Sequence, residues 1–208
     1  MTNRFPELAE DELTDEQRDV VRALVNGPRG VVQGPFIPLL RNPGLASRVE
    51  KLGEYLRFGG VLPKRLTELV ILVVSEAWRA PFEWQIHAPL ARMQGISLSA
   101  IKCVGEGRRP DNADPEVLAV YDFVSSLLEK KMVPESVYLR VLHVIGEPGV
   151  IELVGVCGYY TMLAMVLNVA DFKAEDDANV PFPPPDPDGD LLTAYDAPSG
   201  FDRPPRTN

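Results

Sequence analysis

Residues 76–89, EAWRAPFEWQIHAP, gather both tryptophans of the chain, Trp78 and Trp84, and one of its two histidines, His87. Glu83 and His87 are four residues apart and follow Pro81, a residue tolerated at the first turn of a helix. That spacing brings two side chains onto one helix face. A carboxylate beside an imidazole raises the imidazole pKa and fixes its tautomer, which makes the pair a usable general acid/base unit. Glu83 in the first turn is also favoured by the helix dipole. Glu68 is the third candidate. It precedes the apolar run LVILVV, and an acid entering a buried helix must find a partner or titrate upward. Antiparallel packing of the two helices brings Glu68 towards the Glu83–His87 face.

Each of these residues has a plainer reading. A Glu–His pair at this spacing is common on solvated helices, and Glu68 near a helix start can be a surface acid. Trp84 serves as a core residue as readily as a substrate clamp. Glu76 can pair with Arg79. His143, near a helix C-terminus, reads as a packed or capping residue. A facial two-carboxylate, one-histidine metal set from Glu68, Glu83 and His87 is a further alternative, although di-iron bundles use Glu and His three apart on paired helices.

The elements that must position these side chains all read as helix. Thr14 and Gln17 form a capping box ahead of Val20, Val21, Leu24 and Val25, and Gly27 stops that helix. Residues 27–43, rich in Gly and Pro yet also in hydrophobes, read as an ordered loop lying on the core. Helices follow at 45–58 and 63–78. The second carries Leu66, Leu69, Val70, Val73, Val74 and Ala77 as one stripe and Ile71 and Leu72 on another face, the pattern of a central helix. The next helix runs from Pro81 to Gly95, and Pro89 inside it is expected to kink it or weaken one backbone bond. Ser97 and Asp114 are expected N-caps of the helices at 97–105 and 114–131. The last two helices start at Pro134 and Pro148 and are separated by Gly146. Strand-like alternation is essentially absent, so the fold class is all-α.

The 208 residues suit one domain with a long tail, and 45% hydrophobic residues suffice for a core. A formal charge of −9 with no run of Lys and Arg makes the chain a poor candidate for phosphate-backbone binding, so no nucleic-acid partner is expected. Cys103 and Cys157 match neither a disulfide framework nor a zinc spacing. The polar, acidic N-terminus is unlike a signal peptide, and a cytoplasmic location is expected. The apolar segment from Gly149 nears bilayer-spanning length, but Glu152, Thr161 and Asn168 interrupt it. A buried or subunit-interface helix is expected there, with no membrane partner. After Asp171 the chain is full of Pro and Asp. The tail is expected to be disordered or draped on the body or a neighbour, with Phe182, Leu191, Leu192, Tyr195 and Phe201 as contact residues.

The segment LPKRLTELVILVVSEAWRAPFEWQIHAPLARMQGIS resembles the core of the carboxymuconolactone decarboxylase family. Its pattern is R-L-x-E-L-x-I-L, a tryptophan, E-W-x-x-H, then a helix ending in G-I-S. The later GYYTMLAMVLNV resembles that family's closing helix, and residues 34–63 resemble the N-terminal extension of its longer members. The resemblance implies three parts: an N-terminal helix and loop at 1–32, the helical domain at 33–170 and the tail at 171–208. It implies an alkylhydroperoxidase D-like helical bundle, a subunit of a homo-oligomer, trimer or hexamer, which would account for helices apolar on two faces.

The family includes lactone-ring decarboxylases and, in its alkylhydroperoxidase D branch, peroxiredoxin-type oxidoreductases with an acid, C-x-x-C and a histidine. Aligned on His87, the two cysteine positions fall on Ala80 and Glu83, and the acid falls on Glu68. A thiol mechanism is therefore not expected. What the resemblance leaves is a decarboxylase acting on a small unsaturated lactone or carboxylic acid, with no cofactor and no metal. The alternatives are an alkylhydroperoxidase D-like oxidoreductase with peroxiredoxin-type activity that works without cysteine, and a non-catalytic helical assembly. Within the decarboxylase reading, His87 is the proton donor, Glu83 its orienter and Glu68 a second proton carrier. Trp84, Arg41 and Arg65 are the substrate-binding candidates, with Arg57 and Arg79 as further cations. Arg65, one turn before Glu68, could instead hold that acid.

Overall fold

The computed structural model describes residues 4–172 and 180–183. Eight α-helices follow one another: α1 Asp15–Asn26, α2 Phe36–Leu39, α3 Pro43–Glu54, α4 Lys64–Ala77, α5 Pro81–Met93, α6 Leu98–Gly105, α7 Pro115–Lys130 and α8 Glu135–Ala170. A π-helical turn, Tyr55–Gly59, extends α3. No strand occurs among the described residues. α1 starts on the reciprocal Thr14–Gln17 capping box, and α6 on Ser97, whose hydroxyl accepts from the Ala100 amide. The Gly/Pro-rich stretch is ordered on the core as expected and adds one feature, the short α2, whose four residues are all buried. α8 is broken at Gly146, whose left-handed φ of 67° ends the first helical run where the sequence placed its end.

Asp114 occupies the N-cap of α7 without capping it. Its carboxylate accepts from Arg65 Nη1 at 2.9 Å instead, a correction to the expected side-chain cap. His143 is exposed rather than packed.

α4 is the axis of the fold and packs against α5, α6, α7 and α8. Every residue from Leu66 to Ser75 is buried. Both apolar faces of α4 are thus covered within one chain, without recourse to a partner subunit. α8 is long and apolar enough to cross a membrane, but 56% of its most apolar 18-residue window is buried inside the fold, the pattern of a core helix. Its outer side keeps Ile151, Val154, Met165 and Val169 exposed.

Glu152, which breaks the apolar pattern of α8, is 6% exposed. Its two carboxylate oxygens accept the backbone N–H groups of Val61 and Leu62 at 2.8 and 2.9 Å, and the Tyr55 hydroxyl lies 3.3 Å away. These are orphan donors in the link between the π-turn and α4, and a buried amide must be partnered. Gly60 lets the carboxylate in, since a Cβ there would stand 2.0 Å from Glu152 Oε1.

The reversal between α4 and α5 takes three residues. Arg79 adopts a left-handed φ of 50°, the Ala80 amide returns to the Ser75 carbonyl, and Asn168 of α8 donates to the Trp78 carbonyl. So short a link forces α5 back along α4. The expected Glu76–Arg79 ion pair is present at 3.0 Å. Phe182 is buried edge-to-face against Trp84 with ring centres 5.4 Å apart, so the chain beyond α8 returns to the body at this point. Leu191, Leu192, Tyr195 and Phe201 lie outside the described residues.

Candidate functional site

His87 sits in the middle of α5, 2% exposed, with a carboxylate at each ring nitrogen. Glu68, reaching across from α4, lies 2.6 Å from Nδ1. Glu83, one turn earlier on α5, lies 3.5 Å from Nε2. Both acids are buried, at 9% and 4% exposure. The antiparallel α4–α5 hairpin therefore brings together the three side chains that the sequence singled out.

The detail differs from the sequence reading in one respect. Spacing made Glu83 the orienting acid, whereas the short bond belongs to Glu68, and Glu83 faces the opposite nitrogen at longer range. An ionised carboxylate can only accept. A ring flanked by two of them is satisfied at both nitrogens only when both carry hydrogen, that is, as imidazolium. Burial disfavours that charged form, but the hydrogen bonds and charges of Glu68 and then Glu83 outweigh it and hold the His87 pKa above its ordinary value.

His87 and Glu83, but not Glu68, line a cleft enclosing about 450 Å³ of non-atom space, its open mouth included. The carboxylate beside Nε2 thus borders the cleft and the one beside Nδ1 does not. The other Glu83 oxygen, Oε1, is buried without a hydrogen-bond partner. A sealed acceptor without a partner is unfavourable for folding alone.

Much of the remaining wall comes from residues 29–36, with Arg29, Gln33 and Phe36 facing in, and from Arg57 and Tyr160. The Tyr160 ring meets the His87 ring edge-to-face at 5.3 Å. Arg29 spans the cleft edge, its Nη2 donating to the Tyr159 hydroxyl at 3.0 Å and its guanidinium lying 4.7 Å over the Phe36 ring. Burial pushes the Tyr159 hydroxyl up to about 12 despite the opposing charge of Arg29. Neither Arg29 nor Arg57 forms a salt bridge among the described residues.

The other three sequence candidates lie away from this wall. Trp84 is core, packed against Phe182. Arg65 is held on the surface by Asp114 and Glu116 rather than by Glu68. Arg41 donates to the Pro6 carbonyl at 2.7 Å. Of the arginines considered, only Arg57 lines the cleft. Arg29, Gln33 and Tyr160 were not singled out by the sequence. Tyr160 carried one usable signal, the adjacent pair Tyr159–Tyr160 in the apolar run after Gly149.

Gly34 fixes the strap formed by residues 29–36. Its φ is +56°, and a Cβ there would stand 2.1 Å from the Phe82 ring, itself a wall residue. Gly34→Ala is expected to cost about 1–3 kcal/mol through backbone strain and the clash with Phe82. Urea unfolding checks this, and a loss below the detection limit would contradict the close approach.

No group of three or more His, Cys, Asp or Glu among the described residues is arranged to hold a metal ion. Glu68 and Glu83 address opposite ring nitrogens and do not converge on one point, so the facial metal set does not form. The thiols take no part in the cleft wall. Cys157 is buried, which pushes its pKa up to about 11, and neither cysteine lines the cleft. The positions where a C-x-x-C pair would stand hold Ala80 and Glu83.

A model of the carboxymuconolactone decarboxylase family matches residues 43–125 and leaves the rest of the chain uncovered. The matched stretch contains Glu68, Glu83 and His87. No curated protein and no solved structure matches the chain.

Proposed function

We propose, with the carboxymuconolactone decarboxylase family match over residues 43–125 as the premise, that this chain is a cofactor-free acid/base enzyme that decarboxylates a small unsaturated lactone or carboxylic acid. One observation carries the reading: a buried imidazole, held between two buried carboxylates, in the wall of a cleft. In such a reaction the bond between the carboxylate carbon and the substrate skeleton breaks. Its electron pair moves into the conjugated system, and carbon dioxide leaves. The dienolate that remains needs one proton at carbon. His87 as imidazolium supplies it from Nε2 and regains a proton from solvent.

The geometry supports a division of labour that reverses the acids relative to the sequence reading. Glu68 at 2.6 Å orients the ring and stabilises its charge. Glu83, on the cleft side, guides the proton. The substrate needs no external electron sink when its own double bonds and carbonyl accept the pair. The thiol-based alternative has no observation in its favour, since neither cysteine lines the cleft that His87 lines.

The test is a screen of small unsaturated lactone acids and keto acids, scored by loss of carbon dioxide and by solvent deuterium incorporated at carbon. Turnover of at least one class, with one deuterium per product, is the expected outcome. Loss of carbon dioxide from none of them, with the chain folded, would count against the reading.

A further inference from the structure

Tyr160 is 2% exposed and yet lines the cleft, with its ring against the ring of His87 at an interplanar angle of 86°. Its neighbour Tyr159 accepts a hydrogen bond from Arg29, whereas the Tyr160 hydroxyl makes none among the described residues. The hydroxyl is not among the side-chain atoms sealed off without a partner, so this otherwise buried residue of the cleft wall keeps its one donor accessible. Burial keeps this phenol protonated well beyond its usual range, against the pull of Arg57 and with the added push of Glu83. It is therefore a neutral donor in a wall that also carries two guanidinium groups.

Of the groups beside the proton donor, Glu68 and Glu83 face its two ring nitrogens, and Arg29 gives Nη2 to Tyr159 while its buried Nε has no partner. Gln33 and Arg57 also face the cleft, but the Tyr160 ring is the one against the imidazole.

We infer that the Tyr160 hydroxyl is the oxyanion-binding group of the cleft, donating a hydrogen bond to the substrate oxygen that gains charge while His87 protonates carbon. The inference rests on the acid/base reading above. The phenol keeps its proton throughout. Charge arrives on the substrate oxygen as the carbon–carbon bond breaks and is withdrawn when the carbon takes the proton from Nε2. Arg57 adds positive potential, so the same corner suits any planar molecule whose charge sits on an oxygen conjugated with its ring. Preorganised donors aimed at developing charge are usually the largest single contribution to such a step.

4-Nitrophenolate is a probe of this chemistry that requires no turnover. The wild-type chain should bind it saturably, with a shift of the phenolate absorbance band. Tyr160→Phe should weaken that binding about tenfold to a hundredfold, the range of a hydrogen bond to a charged group. Its circular dichroism and melting temperature should match those of the wild type, because the hydroxyl has no partner to lose. Equal affinity in both proteins, or no binding by the wild type, would overturn the inference. So would a large fall in melting temperature, since the hydroxyl would then have a structural role. The two readings fail separately. Tyr160-dependent phenolate binding without any decarboxylation removes the reaction and leaves the oxyanion site. Decarboxylation at an unchanged rate in Tyr160→Phe removes the site and leaves the reaction.

Discussion

His87→Gln is expected to lower decarboxylation by about two to four orders of magnitude, the usual worth of a positioned general acid. Glutamine keeps much of the volume and can hydrogen-bond one carboxylate, but it cannot be protonated or deliver a proton at neutral pH. The same change should cost about 3–5 kcal/mol of stability, because it strips the cation from two buried carboxylates. The size of that loss should depend on pH in a defined direction. The His87 pKa is raised in the folded chain above the ordinary 6.5. Its contribution to stability is therefore fully present below that ordinary value and is lost as pH rises through the folded value. The stability gap between wild type and His87→Gln should be full at about pH 6.5 and below and should narrow on the alkaline side. Denaturant unfolding at several pH values reads this directly. A gap constant from neutral to alkaline pH would mean that the ring carries no charge between the acids.

Glu152→Leu is expected to destabilise the chain by about 2–5 kcal/mol, since it leaves the Val61 and Leu62 amides without an acceptor at roughly 1–3 kcal/mol each. Leucine suits the surrounding apolar helix better than glutamate does, so the sign of the change tests whether the hydrogen bonds outweigh the burial of charge. Glu152→Gln retains one acceptor oxygen and should cost less. The link that Glu152 ties down runs from the turn bearing Arg57 to the start of the helix bearing Glu68. Loosening it should therefore reach the cleft as well as the fold. Urea midpoints measure the first effect and 4-nitrophenolate affinity the second. A Glu152→Leu variant as stable as the wild type would show that these amides find other partners.

How much of this was legible in the sequence depended on distance along the chain. Thr14 with Gln17 and Ser97 announced their helices because a cap is made within one turn. Glu83 and His87 shared a face for the same local reason. Glu68 could be linked to them because only three residues separate the two helices, which leaves few ways to pack. Asp114 resisted such a reading: its sequence neighbourhood was that of a cap, but Arg65, 49 residues earlier, took its carboxylate. Glu152 showed only as an interruption in an apolar run, since its partners lie about 90 residues away. Arg29 and Tyr160 were out of reach for that reason too. The strap and the last helix, 130 residues apart at Arg29 and Tyr159, meet at the cleft only in the folded chain. The arginines favoured from the sequence, Arg41 and Arg65, were near helices of interest but are taken up by other oxygens.

The strap bearing Arg29, Gln33 and Phe36 lies before the stretch that matches the family, and Tyr160 lies after it. The proton-handling trio and most of the polar wall around it thus have separate addresses in the gene. Substitutions in the strap or at Tyr160 can therefore reshape the cleft without touching any of the three side chains at its buried edge.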